Sequence, residues 1–254
     1  QFLYFIGKPV RTMEALSAKV ATISGRDKYL GVAQFFPMLA EAPLEAVGMK
    51  ALGSSLAAFS GVAGSARALA RFSLSADAVF TTARMDALAK MPMGPWKIVA
   101  ALQFFFDAMF CPFEHTSFLA GNGVIANPND RAGRYGGGAV TCWMWGIILN
   151  VVVGVRDYMA ARARAAVARA RKESSSREAA QMRALEVKIV KLLCYLVVAL
   201  SFLPQAGVRL LGNTPSGPLL PLHKLFAAIA PPPLPVSNTV RGLFGTTAAL
   251  LEFA

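Results

Sequence analysis

The chain has 254 residues, 55% of them hydrophobic and only 16% charged, with a mean hydropathy of +0.48. An ordinary soluble domain of this length carries about a quarter charged residues to cover its surface, so the composition excludes one and points to a membrane. The 26 Lys and Arg against 14 Asp and Glu give a net charge of +12, which on so apolar a chain suits anionic lipid headgroups. Nucleic acid is a poor fit, because no stripe of alternating basic and aromatic residues marks a groove-binding surface.

The first residue is Gln1. A leader removed on import into a plastid or mitochondrion, or a start further upstream, accounts for the missing methionine. From Lys8 to Met38 apolar residues recur at helical spacing, which predicts one or two short helices ending near Pro37. After Pro43, the stretch Leu44 to Phe72 sets Leu44, Val47, Leu52, Leu56, Phe59, Val62, Leu69 and Phe72 near one face. Lys50, Ser54, Ser60, Gly64, Arg67 and Arg71 lie opposite, so the stretch reads as an amphipathic helix, and its glycines and alanines permit close helix packing.

Leu74 to Lys90 continues as helix, and the turn Pro92 to Pro95 separates it from a phenylalanine-rich run, Trp96 to Phe110. Asp107 interrupts that run and Pro112 bends or ends it, so a buried or interfacial helix is expected there in preference to a lipid-exposed span. A glycine- and asparagine-rich loop is predicted from Gly121 to Gly138. Overlapping its end, Gly136 to Val155 holds twenty residues without a formal charge, enough at about 1.5 Å per residue to cross one bilayer core. Arg131 and Arg134 flank one end and Arg156 the other.

The segment Arg156 to Lys191 is basic and alanine-rich, with Ser175 and Glu178 spaced as a capping box that restarts a helix. It reads as a solvated helical hairpin joining two spans, or as a positive surface for anionic lipid or an acidic partner through Arg162, Arg164, Arg169, Arg171 and Lys172. A second uncharged run, Leu192 to Val208, is kinked by Pro204. Pro215 to Pro235 predicts a rigid, partly extended connection, and the stretch from Val236 a third, short membrane or interfacial helix.

Catalytic chemistry finds little support. Cys111, Cys142 and Cys194 lie in apolar stretches without CxxC spacing and read as packed small hydrophobes. His115 and His223 belong to no metal-ligand pattern. Gly121 to Ala126 formally fits GxGxxA, but it precedes Asn127 and Pro128 instead of opening a helix after a strand. Asp107, Glu114 and His115 form a polar cluster in an apolar setting. It reads as helix-orienting polar residues, with His115 a candidate axial ligand for the metal of a tetrapyrrole pigment.

Four local patterns, in order along the chain, resemble those of the peroxisomal biogenesis factor 11 family. Ser24 to Phe36 is similar to its opening motif through Gly25, Arg26, Asp27, Lys28, Gln34 and Phe35. Ser54 to Phe72 resembles its amphipathic segment, with Arg67 and Arg71 in basic positions. Phe104 to Ile125 is similar to its aromatic stretch, and the last segment resembles its C-terminal span through Gly242, Gly245, Thr246 and Thr247. The amphipathic segment departs from the family in carrying fewer basic residues than usual, and weaker charge weakens insertion at a lipid surface.

The resemblance implies a non-enzymatic, self-associating protein that organises or elongates peroxisomal membranes. The expected fold is all-α, an integral membrane protein with N-terminal amphipathic helices over 1–95. Two to three membrane-embedded helices follow over 96–254, with the basic connection at 156–191. Lipid or partner contact is expected from Lys50, Leu52, Leu56, Phe59, Arg67, Arg71 and Phe72, and no cofactor is expected. A second expectation is a structural or linker subunit of a large organellar membrane complex, for example in a plastid thylakoid membrane, where chlorophyll or carotenoid contacts enter.

Overall fold

The structure, a computed structural model, describes residues 23–79, 82–172, 174–212 and 215–253. The Gln1 start and the part of the first expected helix before residue 23 lie outside them. Eight helices account for the regular structure of the described residues: α1 Ile23–Ala46, α2 Lys50–Val79, α3 Thr82–Lys90, α4 Pro95–Gly121, α5 Arg131–Ala170, α6 Ser176–Ser201, α7 Leu220–Ile229 and α8 Asn238–Leu251. The fold is all-α, as the composition and periodicity imply.

Helix α1 does not stop at Pro37; it runs through Pro37 and Pro43 to Ala46. An internal proline removes one backbone hydrogen bond and bends a helix, but α1 is held between α2 on one side and α8 on the other. The expected helix from Leu44 is therefore divided. Leu44 lies in the last turn of α1, which ends at Ala46, and Gly48, at φ +83°, reverses the chain. The Gly48 amide donates to the Glu45 carbonyl at 3.0 Å and the Met49 amide to the Leu44 carbonyl at 2.9 Å. That pair of bonds is the glycine-terminated helix end that satisfies the last carbonyls.

Helix α8 lies antiparallel on α1. A Cβ on Gly242 would overlap the backbone of Leu39, and one on Gly245 would overlap the Phe35 ring; the two glycines let the helices approach to backbone contact. Arg241 on α8 also donates to the carbonyl of Ser201 at 3.0 Å, satisfying the C-terminus of α6.

Helices α4 and α5 form the second layer, antiparallel to each other, with α6 antiparallel along α5. The predicted loop from Gly121 to Gly138 is shorter than expected, since α5 begins at Arg131, capped by Asp130, whose side chain accepts from the Gly133 amide at 3.1 Å. Gly137 and Gly138 are helical and face Pro204, Leu210 and Phe113 closely enough that any Cβ would crowd them. Glycine there serves packing, not a turn. Around it Phe113, Phe226, Cys142, Phe106 and Val208 make the main apolar core, and Trp145 of α5 donates to the Ile229 carbonyl of α7 at 3.0 Å.

Among the described residues two helices are long and apolar enough to cross a membrane, Pro95–Gly121 and Arg131–Ala170. The second contains the predicted run Gly136 to Val155. In the first, where Pro112 is expected to bend or end the helix, α4 does not end but continues past it to Gly121. The run Leu192 to Val208 is corrected the other way, because α6 ends at Ser201, ahead of Pro204, whose preceding residue is disfavoured in helix. The connection over Pro215 to Pro235 contains the ten-residue helix α7, after which the chain leaves the helix at Ala230 in extended backbone.

The α1–α8 contact makes a direct prediction. Gly245→Val is expected to cost about 1–3 kcal/mol through overpacking against Phe35, lowering the thermal midpoint in detergent. Gly61→Ala, where nothing lies within 4 Å of the new Cβ, leaves the midpoint unchanged or raises it slightly.

Candidate functional site

Helix α2 has its two faces reversed relative to a soluble amphipathic helix. Gly53, Ser60 and Ala63 are buried and Arg67 is nearly so, while Phe59 is 52%, Val62 67% and Leu69 59% exposed. Of the residues read from the sequence as one apolar stripe, Leu52, Phe59, Val62 and Leu69 point away from the protein, whereas Leu56 is half-buried and Phe72 packs on His115. Water would penalise such a surface by roughly 25 cal/mol per Å² of apolar area; lipid removes that penalty.

The inward face is organised by charge. Asp27, from the opening motif on α1, accepts from Arg67 at 3.2 Å and from Arg71 at 3.3 Å. Arg71 forks onto both carboxylate oxygens of Glu114 on α4, and Arg67 donates to the side-chain carbonyl of Gln34 at 2.8 Å. Ser60 closes the pattern by donating to the Gln34 backbone carbonyl at 2.7 Å. The guanidinium of Arg67 also lies over the Phe35 ring, 5.7 Å from its centroid, and that of Arg71 over Phe110 at 5.9 Å. Such stacking favours arginine over lysine.

A second knot joins three helices. Glu252, just past α8, binds Lys28 of α1 at 3.3 Å and Lys191 of α6 at 3.1 Å. Between the two knots lies a cavity of about 490 Å³ lined by Arg67, Arg71, Glu114, Trp143, Tyr195 and Glu252 among others. Its charges are neutralised in pairs, as polar groups in an apolar surrounding require.

The residues singled out from the sequence fall into three places. Lys50, Leu52 and Phe59 are exposed on α2 and Leu56 is half-buried. Arg67 and Arg71 turn inward to the ion pairs, and Phe72 stacks on His115 with ring centroids 3.7 Å apart. Arg162, Arg164, Arg169, Arg171 and Lys172 are all exposed at the joined ends of α5 and α6.

The polar cluster Asp107, Glu114 and His115 is not one cluster. Asp107 pairs with Arg84 of α3, Glu114 with Arg71, and His115 lies flat on Phe72 with its Nε2 buried and without a hydrogen-bond partner. Among the described residues no group of three or more His, Cys, Asp or Glu is placed to hold a metal ion, and Cys111, Cys142 and Cys194 form no disulfide. Gly121 to Ala126 runs from the end of α4 into a loop, with no strand before it.

Periodicity alone misses Gln34, Glu252 and Lys191 as members of the ion-paired centre. The signal available was the pair Arg67 and Arg71, four residues apart on a helix whose other side is apolar: two cations so placed need acids from neighbouring helices.

Comparison with known proteins adds one match. The family model described as Peroxisomal biogenesis factor 11 (PEX11) matches residues 13–214. No curated protein matches the chain, and no solved structure does.

The ion pairs can be tested by removing one partner and then both. Arg71→Met leaves the Glu114 carboxylate facing an apolar surround and is expected to cost about 2–3 kcal/mol. Arg71→Met with Glu114→Met removes both charges and recovers most of the loss, read as thermal midpoints of the purified chain in detergent.

Proposed function

Because the chain belongs to the peroxisomal biogenesis factor 11 family, whose model covers most of its length, we propose that it organises and elongates an organelle membrane by laying the outer face of α2 in lipid. The observation that carries this is the exposure of Phe59, Val62 and Leu69 over an ion-paired inner face. Insertion on this reading draws on apolar area, not on cationic attraction, since Arg67 and Arg71 are committed to Asp27 and Glu114. Lys50 remains exposed at the start of α2 to meet a headgroup.

The candidate spans α4 and α5 anchor the protein. Along α5 the distance from Arg134 to Arg156 is about 33 Å at helical rise, which fits one bilayer core between two basic rims. Trp96 sits at the Arg156 rim, its ring 4.5 Å from the guanidinium, where aromatic rings favour the headgroup level. Family membership supports an organelle membrane, and we assign the peroxisomal one.

Self-association is part of the proposal. An open groove between α2, α4 and α5 is lined by Gly61, Gly64, Ser65, Ser117, Gly121 and Gly136, small residues that let a helix of a second copy approach closely. The same groove is the observation that favours the second reading, a structural or linker subunit packed against other membrane proteins in an organelle such as the plastid. Recovery in a thylakoid complex with pigments and partner subunits supports that reading; recovery as a peroxisomal homo-oligomer supports the first.

The test of insertion uses the full chain in liposomes viewed by electron microscopy. The parent elongates them. Phe59→Asp with Leu69→Asp leaves them spherical, each aspartate opposing lipid burial by roughly 2 kcal/mol or more. Elongation by the double variant at the parent's level would refute insertion through α2.

A further inference from the structure

Helices α5 and α6 continue beyond the rest of the bundle. Trp96, at the start of α4, meets Arg156, and Glu252, past the end of α8, meets Lys191. Past those two contacts α5 runs on to Ala170 and α6 begins at Ser176, so residues 157–190 form a two-helix hairpin. Ala161 and Ala165 are fully buried in it, and Gly154 at its base receives the Ile189 side chain. From Arg156 to Ala170 the projection is about 21 Å at helical rise.

The end of this hairpin is strongly basic. Between Tyr158 and Lys172 there are five cations, Arg162, Arg164, Arg169, Arg171 and Lys172, and no acid. All five are exposed, and none forms an ion pair among the described residues; Arg164 donates only to the Gln181 side chain, at 3.1 Å. Like charges so concentrated repel each other, and among the described residues no acid is placed within ion-pair distance of them.

The surface potential of a membrane falls off within a Debye length, about 8 Å at physiological salt. With Arg156 at the rim, Arg169, Arg171 and Lys172 stand more than twice that distance from the bilayer that holds α5, so its headgroups do not satisfy them. We propose that the hairpin tip docks on the anionic lipid surface of a second, apposed membrane. This rests on the reading of α5 as a span. A protein partner is disfavoured because between Arg162 and Lys172 the tip has no aromatic anchor of the kind on which specific interfaces depend, and of its large apolar side chains there only Val167 is exposed, at 52%, with Met159 at 54% lying nearer the base. Cations placed around the helix without an apolar stripe match a laterally uniform, negatively charged surface.

The experiment mixes donor vesicles of phosphatidylcholine carrying the full chain with labelled acceptor vesicles, made with or without phosphatidylserine. Capture is measured by co-flotation. Phosphatidylserine acceptors are expected to be captured and neutral ones not, capture is expected to vanish in high salt, and each single arginine-to-glutamine change lowers it about fivefold. Equal capture by a chain with all five cations changed to glutamine, or binding to polyglutamate beads without binding to acceptor vesicles, overturns the docking. Alkaline carbonate separates the two readings. A chain that resists extraction but captures nothing overturns the docking alone, whereas a chain stripped from the donors overturns the span and the docking with it.

Discussion

The direction in which α2 faces depends on the charge cluster that Asp27 shares with Arg67 and Arg71 and that Arg71 extends to Glu114. Two guanidinium groups on one helix cannot be left in an apolar surrounding without acceptors, and the acceptors come from α1 and α4. Once Arg67 and Arg71 turn inward, helical geometry sends Phe59, Val62 and Leu69 outward. The ion pairs thus contribute more than cohesion: they select which of two opposite faces meets the solvent or the lipid. A soluble helix with the same residues would be rotated by about half a turn.

The rest of the packing follows from fixing α1. Its prolines weaken its own hydrogen-bond ladder, and neighbours make up the loss. Gln34 is gripped by Ser60 and Arg67 of α2, Phe35 and Leu39 are approached at backbone distance by Gly245 and Gly242 of α8, and Lys28 is tied to Glu252. The residues shared with the family's opening motif are therefore contact residues of α1. Membership of the family shows here as a packing scheme, with Asp27, Gln34 and Phe35 all meeting Arg67 and Lys28 meeting Glu252.

Much of this was legible in the sequence at the level of segments. The helical class, the uncharged run within α5, the basic hairpin and the apolar stripe of α2 all follow from periodicity and charge. What periodicity could not supply was direction. An apolar stripe marks a face, but whether that face meets protein or lipid depends on the partners of the opposite face, which lie 40 or more residues away at Asp27 and Glu114. Prolines misled in both senses for a related reason. Pro37 and Pro112 are tolerated inside helices supported by neighbours, while α6 ends ahead of Pro204. Glycine misled once: Gly136 to Gly138 has loop composition, yet Gly137 and Gly138 are helical because Pro204, Leu210 and Phe113 occupy the space side chains would take.

Helix α5 carries its apolar and basic halves on one continuous forty-residue cylinder, without a proline or a break between Arg131 and Ala170. Nothing uncouples what happens at one end from the other, so on the proposed span the helix is a lever pivoting in the bilayer. A bilayer thinner than the apolar half tilts the lever, and a tilt of about 20° swings the projecting arm sideways by roughly a third of its length. Membrane thickness is in this way converted into the position of a charged tip, by rigidity alone.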